Sequence, residues 1–77
     1  MSVSGINVVD TIYSVRVDDA STTVTYVGEA PIGSSESAPV WRIKKLETIG
    51  TVFKIFWADG NMHFDNVWSN RASLEYV

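Results

Sequence analysis

The chain has 77 residues and no cysteine, and nine acidic residues against six lysines and arginines give it a net charge of −3. A chain of this length holds a single hydrophobic core, while 45% hydrophobic residues and three tryptophans exclude a disordered chain. With no cysteine and one histidine, the chain has neither disulfides nor enough ligands for a structural zinc site. We therefore expect one soluble globular domain that gains stability from a partner, since small cores contribute little by themselves.

The first residues predict an arm rather than a targeting signal. Residues 1–10 lack the basic region and the apolar run of a signal peptide. The longest apolar run of the chain, residues 55–58, is far shorter than the roughly 20 residues of a membrane-spanning helix. We expect an N-terminal arm over residues 1–10 and a single β domain over residues 11–77.

The first half of the domain predicts a hairpin and a long loop. Side chains alternate over residues 11–17, and residues 22–27 are rich in β-branched side chains, so two antiparallel strands are expected. Residues 28–39 contain two glycines, two prolines and three serines, a composition that favours turns. A loop of this length is either an interaction surface, with Pro31 and Ile32 as candidate partner contacts, or a mobile linker.

The second half predicts two more strands, a helical turn and a closing strand. Alternation over residues 40–47 and 51–57 indicates strands joined by a turn at residues 48–50. Residues 64–68 have apolar side chains at helical spacing, and residues 71–76 return to the period of a strand. The sequence predicts an all-β fold, a small antiparallel barrel or sandwich with one short helical turn before the last strand. The expected core contains Trp41, Ile43, Phe53, Ile55, Trp57, Phe64, Val67, Trp68 and Leu74.

A second set of apolar residues is expected on the other side of the central strands. Val40, Leu46, Val52 and Phe56 are predicted to share the face opposite the core. Soluble proteins rarely expose large contiguous apolar areas. Either the hairpin of residues 11–27 covers this face as a second layer, or the four residues form a partner interface.

Three basic residues form a candidate nucleic-acid contact. Arg42, Lys44 and Lys54 are expected on the solvent side of the central strands near Phe56, and basic residues beside aromatic ones bind single-stranded nucleic acid. The net negative charge of the chain opposes binding to a phosphate backbone. A charged strand edge that discourages aggregation is the alternative interpretation.

A polar cluster near the C-terminal end does not predict catalysis. Asp59, His63, Asp65 and Ser69 supply an acid, a base and a hydroxyl, but no glycine-framed nucleophile and no second histidine accompany them. Nor do Asp59, Asn61 and Asp65 have the spacing of a calcium loop. We assign these residues to a capped turn and expect no enzymatic activity, no metal and no cofactor.

Several short motifs resemble those of a known family. They are Tyr-Val-Gly at residues 26–28, Val-Trp-Arg-Ile-Lys at 40–44, Trp-Ala-Asp-Gly at 57–60, Phe-Asp-Asn-Val-Trp at 64–68 and Arg-Ala-Ser-Leu at 71–74. Together they resemble a family of small tailed-bacteriophage proteins, often encoded near virion genes, and the resemblance spans residues 13–77. It implies a context rather than a mechanism, because the family has no established activity or catalytic residue.

The resemblance, with the need of a small core for reinforcement, implies a virion structural protein. The expected role is a β domain present in many copies, as a capsid decoration protein or as a neck, tail or fibre attachment piece, assembled in the cytoplasm of a bacterial host. The expected partners are other virion proteins or further copies of the chain, with no membrane contact. A nucleic-acid-binding barrel is one alternative, and a tip domain that binds a host receptor or sugar through exposed aromatic residues is another.

Overall fold

The computed structural model describes residues 12–77, and the predicted arm at residues 1–10 lies outside this range. The four main strands are β1 (Tyr13–Asp18), β2 (Val24–Pro31), β3 (Pro39–Ile49) and β4 (Val52–Trp57). They form an antiparallel meander in chain order. A short strand, β5 (Asn66–Val67), pairs with the start of β3 and leads into a 3-10 helix at Trp68–Ser73.

This architecture confirms the all-β prediction with a short helical turn near the end. Within residues 12–77, β1 and β4 do not pair with each other, so the sheet stays open and no closed barrel forms. One face of the sheet is packed against the C-terminal residues, which gives the second layer of a small sandwich. No helix in the described part of the chain has the length and apolar character needed to span a bilayer.

The predicted loop at residues 28–39 is shorter in the structure, because β2 continues through Pro31 and leaves residues 32–38 between the strands. Gly28 lies inside the sheet, where its missing side chain makes room for the indole ring of Trp68. Pro31 occupies the last position of its strand, where a missing backbone N–H is tolerated. The loop prediction is therefore wrong for residues 28–31.

The buried core lies on one face of the sheet, which we name the core face. The centroids of the Trp41 and Trp68 rings are 5.9 Å apart, and both rings lie against Gly28. The indole N–H of Trp41 donates a hydrogen bond to the carbonyl oxygen of Ser35 at 2.9 Å, so this fully buried side chain has its polar atom satisfied. The buried hydrophobic residues are Ala30, Trp41, Ile43, Ala58 and Trp68.

Part of the predicted core lies on the opposite face, because the hairpin between β3 and β4 has another register. Ile49 pairs with Val52 across a two-residue turn that begins at Gly50, whose φ of 63° suits this position. The sequence prediction ended the strand earlier and placed the turn at residues 48–50. A shift of one residue exchanges the two faces of a strand. The predicted burial of Phe53 and Ile55 is therefore wrong, since these side chains are exposed.

The other predicted core residues divide between the two sides of the sheet. Val67 and Leu74 are half-buried, and Leu74 packs against the buried cluster. Trp57 is half-buried on the same side as Phe53, whereas Phe64 is exposed. The core is consequently smaller than predicted and depends mainly on two tryptophans.

The helical turn predicted at residues 64–68 lies further along the chain, since β5 comes first and the helix begins at Trp68. Pairing with β3 holds the residues before the helix in an extended conformation. The closing strand predicted at residues 71–76 is reduced to a single bridge between Tyr76 and Ala58. The alternation of apolar residues at this end therefore reflects packing on the sheet and not a continuous strand.

Polar and aromatic contacts hold residues 66–77, which we name the C-terminal clasp, against the core face. The Arg71 guanidinium donates to the Asp18 carboxylate at 2.8 Å and lies 4.7 Å from the ring centroid of Trp68. The phenol of Tyr76 donates to the backbone carbonyl of Arg71 at 2.8 Å, and its ring centroid is 5.6 Å from that of Tyr26. The clasp thus connects the end of the described chain to both β1 and β2.

We expect the clasp to lose stability at alkaline pH. Burial raises the pKa of the Tyr76 phenol above its usual value of 10.0, and Tyr26 and Asp59 add to this effect while Arg71 opposes it. The folded chain holds the phenol proton of Tyr76 more tightly than the unfolded chain does. The contribution of the protonated phenol to the free energy of unfolding is therefore complete below pH about 10 and is lost as the pH rises further. Urea unfolding should therefore show a free energy of unfolding that falls above pH about 10.

The matched variant for this prediction is Tyr76→Phe, which keeps the ring and removes the titrating group. It should lower the free energy of unfolding at neutral pH by about 1 kcal/mol through the lost hydrogen bond. Above pH about 10 the variant should lose less stability than the wild-type chain. An identical alkaline loss in both chains would show that Tyr76 is not responsible.

Candidate functional site

The face of the sheet opposite the core face carries apolar side chains that the described residues leave exposed. Residues directly opposite each other in antiparallel strands share a face, so the observed pairing defines its members. We name this surface the open face. Its members are Val15, Val17, Thr25, Val27, Lys44, Leu46, Thr48, Phe53, Ile55 and Trp57.

Exposure on the open face is greatest on the two outer strands. Val17 on β1 is 65% exposed, and on β4 Phe53 and Ile55 are 61% and 54% exposed. Val27 and Leu46 on the inner strands are half-buried between their neighbours. Large contiguous apolar areas on soluble chains usually bind another molecule. The open face is therefore the strongest candidate functional site among residues 12–77.

One row of side chains crosses the middle of the open face. Val17, Val27, Lys44 and Trp57 are paired in succession from β1 to β4. The Lys44 ammonium lies 5.5 Å from the centroid of the Trp57 ring, which places the cation where the ring face attracts it. The row is therefore apolar except for one cation that already has an aromatic neighbour.

An aromatic cluster around Arg42 closes one end of the open face. The Glu29 carboxylate accepts a hydrogen bond from the Arg42 guanidinium at 2.6 Å, and this ion pair is partly buried. The guanidinium carbon lies 4.6 Å from the ring centroid of Phe64 and 5.6 Å from that of Tyr13, and the two rings are stacked. The charge of Arg42 is thus engaged within the chain, and the segment after β4 covers this end of the sheet.

The outer edge of β4 adjoins the open face. The Trp57 N–H donates to the Val77 carbonyl at 3.4 Å, and the Trp57 carbonyl accepts from the Val77 N–H at 3.1 Å. Backbone groups alternate in direction along a strand, so those of Phe53 and Ile55 point to the same outer side. Lys54 is exposed between them, and a lysine in the middle of an edge strand discourages the addition of another strand.

The four apolar residues predicted to share a partner face do not lie together. Leu46 belongs to the open face, whereas Val52 and Phe56 pair with β3 residues on the core-face side. Val40 packs against the buried cluster. The prediction of a common face is wrong, and its cause is the same register shift that moved Phe53 to the open face.

The two other predicted contacts lie where the first hairpin meets the loop. Pro31 ends β2, and Ile32 follows it with 66% of its surface exposed. Their contact with a partner stays a prediction. The first hairpin itself does not form a second layer over the central strands, because β2 pairs with β3 and extends the same sheet.

The predicted basic stripe is not continuous in the structure. Arg42 and Lys44 lie on the side of the open face, but Lys54 pairs with Glu47 and projects to the core-face side. Arg42 is also paired with Glu29. A row of cations along one groove, which single-stranded nucleic acid requires, is therefore not formed by these three residues.

Asp59 and Asn61 lie in a turn as predicted, whereas no side chain caps the helix that follows and Ser69 makes a long-range contact. Asp59 has a φ of 59°, and the Asn61 side-chain oxygen accepts from the His63 backbone N–H at 2.9 Å. Ser69 donates from its hydroxyl to the Glu36 carbonyl at 3.2 Å. These bonds are those expected of side chains that stabilise loop backbone. Between residues 12 and 77, no group of three or more histidine and acidic side chains is arranged to hold a metal ion.

Sequence reasoning missed Val17 and Val27 as members of the candidate site. The alternation of Tyr13, Val15 and Val17 was a usable signal in the first strand, whereas Val27 in the second strand stands between Thr25 and Glu29 and gives no such signal. Pairing them with the correct residues of β3 and β4 required the register of two hairpins.

Comparison of the chain with protein-family models, with curated proteins and with solved structures found no match.

Proposed function

We propose that the chain is a non-enzymatic structural protein of a tailed-bacteriophage virion that works as an assembly module, either as a capsid decoration protein or as a neck, tail or fibre attachment piece. The observation that carries this proposal is the open face. Apolar side chains from all four strands of the meander lie on one side of it, and those of β1 and β4 are exposed. Burial of such a surface against a neighbouring subunit gains roughly 25 cal/mol per Å2 of apolar area before the cost of association.

The phage context is supported by the motif resemblance. Within the motifs, Trp41, Ile43, Ala58 and Trp68 are buried, so these residues specify the packing of the clasp on the core face. The motifs also include Val27, Lys44 and Trp57, which lie in the middle row of the open face. The resemblance therefore supports the class of protein, and the open face supports the way in which the protein acts.

The composition of purified particles tests the proposal. Mass spectrometry of virions from the phage that encodes the chain should find it at a high copy number relative to single-copy proteins. Washing at high salt should not remove it, because attachment through apolar contacts is little screened by ions. Absence of the chain from purified particles would overturn the proposal.

Two neighbouring substitutions on β4 test whether the open face is the attachment surface. Phe53→Asp places a charge on the open face, whereas Val52→Asp places the same charge on the other side of the strand. Both side chains are at least half exposed, at 61% and 50%, so neither substitution buries a charge within the monomer. We expect Phe53→Asp to abolish co-sedimentation with particles and Val52→Asp to retain it. Equal binding by both variants would place the attachment surface elsewhere.

A further inference from the structure

We propose that Asp59 is a site of spontaneous modification, at which the native chain converts aspartate to isoaspartate through a cyclic imide with Gly60. Asp59 and Gly60 occupy the two central positions of the turn after β4, with φ of 59° and 71°. The Asn61 N–H donates to the Ala58 carbonyl at 3.3 Å and closes this turn. Asp59 is exposed, so water reaches it. The reaction is independent of the proposed function, because it needs no partner.

The reaction requires only the chain and water. The Gly60 backbone nitrogen attacks Cγ of the protonated Asp59 carboxyl group and forms a C–N bond. The C–OH bond breaks, and the hydroxyl group leaves with the amide proton as one molecule of water, so that a five-membered imide remains. Water then adds to one of the two imide carbonyl groups. Cleavage between the nitrogen and Cγ restores aspartate, whereas cleavage between the nitrogen and the main-chain carbonyl carbon gives isoaspartate.

A glycine after the aspartate makes this attack sterically accessible. The attacking nitrogen belongs to a residue without a Cβ atom, so no side chain of that residue obstructs the approach to Cγ. Asp59–Gly60 is the single place in the 77 residues where an aspartate or an asparagine precedes a glycine. Every other aspartate is followed by a residue that carries a Cβ atom. Steric hindrance to imide formation is therefore lowest at Asp59.

The turn already holds Asp59 in a backbone conformation that lies one movement away from the imide. Positive φ at both central residues defines a type I′ turn, whereas a type II′ turn keeps positive φ only at the first of them. Rotation of the peptide plane between Asp59 and Gly60 converts the first type into the second and brings ψ of Asp59 to about −120°. At this ψ the Gly60 nitrogen eclipses Cβ of Asp59, as ring closure requires. Glycine allows the rotation, because it adopts either sign of φ.

One hydrogen bond opposes the rotation. The Gly60 N–H donates to the Trp57 carbonyl at 3.0 Å, and this carbonyl keeps a second bond from the Val77 N–H at 3.1 Å. Loss of one exposed hydrogen bond to water lowers the population of the rotated turn by about tenfold. An unfolded chain has a different restriction, since a residue other than glycine adopts positive φ in only about 5% of cases. The two factors offset each other, so the native turn stays reactive.

The product changes the turn that leads from β4 towards the clasp. Isoaspartate adds one methylene group to the main chain between residues 59 and 60. The Asp59 N–H donates to the Glu75 carbonyl at 2.7 Å, beside the bridge between Ala58 and Tyr76. A lengthened main chain no longer fits the geometry of a two-residue turn, so these contacts with the clasp are weakened. The modified chain, separated by chromatography, should unfold at a lower urea concentration than the unmodified chain.

Incubation of the full chain at mildly acidic pH, both native and in urea, measures the reaction. A protein L-isoaspartate methyltransferase labels isoaspartate but not aspartate, and peptide mapping locates the label. We expect the label at residue 59, formed in the native chain at a rate within about tenfold of the rate in urea. The same peptide should contain an intermediate lighter by one water molecule. A native rate that is lower by more than about tenfold, or no label at residue 59, would overturn the proposal.

Three variants of the full chain separate this site from the other aspartates. Asp59→Glu should remove the label, because a six-membered imide closes far more slowly. Asp59→Asn tolerates positive φ and forms the same imide by loss of ammonia, so isoaspartate should again form at residue 59. The control Asp65→Glu, which alters another exposed aspartate, should leave the label unchanged. A label that persists in Asp59→Glu, disappears in Asp65→Glu or fails to form in Asp59→Asn would contradict the assignment.

Discussion

Replacing Trp41 with alanine should lower the free energy of unfolding by about 3–5 kcal/mol, whereas replacing Trp57 should lower it by about 1–2 kcal/mol. Trp41 is fully buried, packs against Trp68 and satisfies its indole N–H within the fold. The Arg16 guanidinium also lies 5.5 Å from its ring centroid. Trp57 is half-buried on the open face, where its contacts are cations and solvent-facing neighbours.

Urea unfolding followed by circular dichroism measures both effects. A domain of this size has a total stability of only about 5 kcal/mol, so Trp41→Ala can be largely unfolded without denaturant. Trp41→Phe, which leaves a smaller cavity, keeps the comparison measurable in that case. The outcome that contradicts the assignment of faces is a greater loss of stability for Trp57→Ala than for Trp41→Ala.

Replacing Gly28 with alanine should lower the free energy of unfolding by about 1–3 kcal/mol, although glycine to alanine within a strand is ordinarily favourable. A Cβ atom at this position would lie 2.5 Å from Cε3 and 2.7 Å from Cζ3 of the Trp68 ring. It would also lie 3.2 Å from Cε3 of Trp41. Both rings are buried and packed against each other, so neither has room to move away.

A double-mutant cycle separates this steric cost from other effects of the substitution. In a Trp68→Leu background, where the ring is absent, Gly28→Ala should cost much less than in the wild-type chain. The coupling energy between the two positions should then be about 1 kcal/mol or more. Additive effects would show that Gly28 is required for a reason other than close approach of the indole.

The four main strands and their pairing into two hairpins could be predicted from the sequence, but the register of the second hairpin could not. Period-two alternation and β-branched residues predict β1 and β4 correctly to within two residues. The β3–β4 turn contains a single glycine, Gly50, and local composition does not determine whether the strand ends before or after Ile49. The position of the turn sets the register of the hairpin, and a shift by an odd number of residues, here three, decides which side of β4 is buried. It also decides which residues form the candidate site.

The C-terminal clasp could be predicted only in part, because its structure depends on distant contacts. Helical spacing of residues 64–68 is a local signal, yet pairing of β5 with β3 prevails over it. Trp68 was correctly predicted to be buried, since a large apolar side chain in a small domain has few other places to lie. The position of the Trp68 ring over Gly28 could not be predicted, because the sequence alone does not show whether a glycine lies in a turn or at a close contact inside a strand.

The way in which the clasp is attached has a consequence for the order of folding. The meander joins strands that are neighbours along the chain, whereas the bond between Arg71 and Asp18 joins residues 53 positions apart. Long closures form late, because chain entropy is lost before such contacts stabilise the fold. We expect a chain with the meander formed and the clasp detached to expose Trp41 on one side and the open face on the other. Such a sheet would have two apolar sides where the native chain has one, so docking of the clasp should lower the tendency of the newly made chain to aggregate.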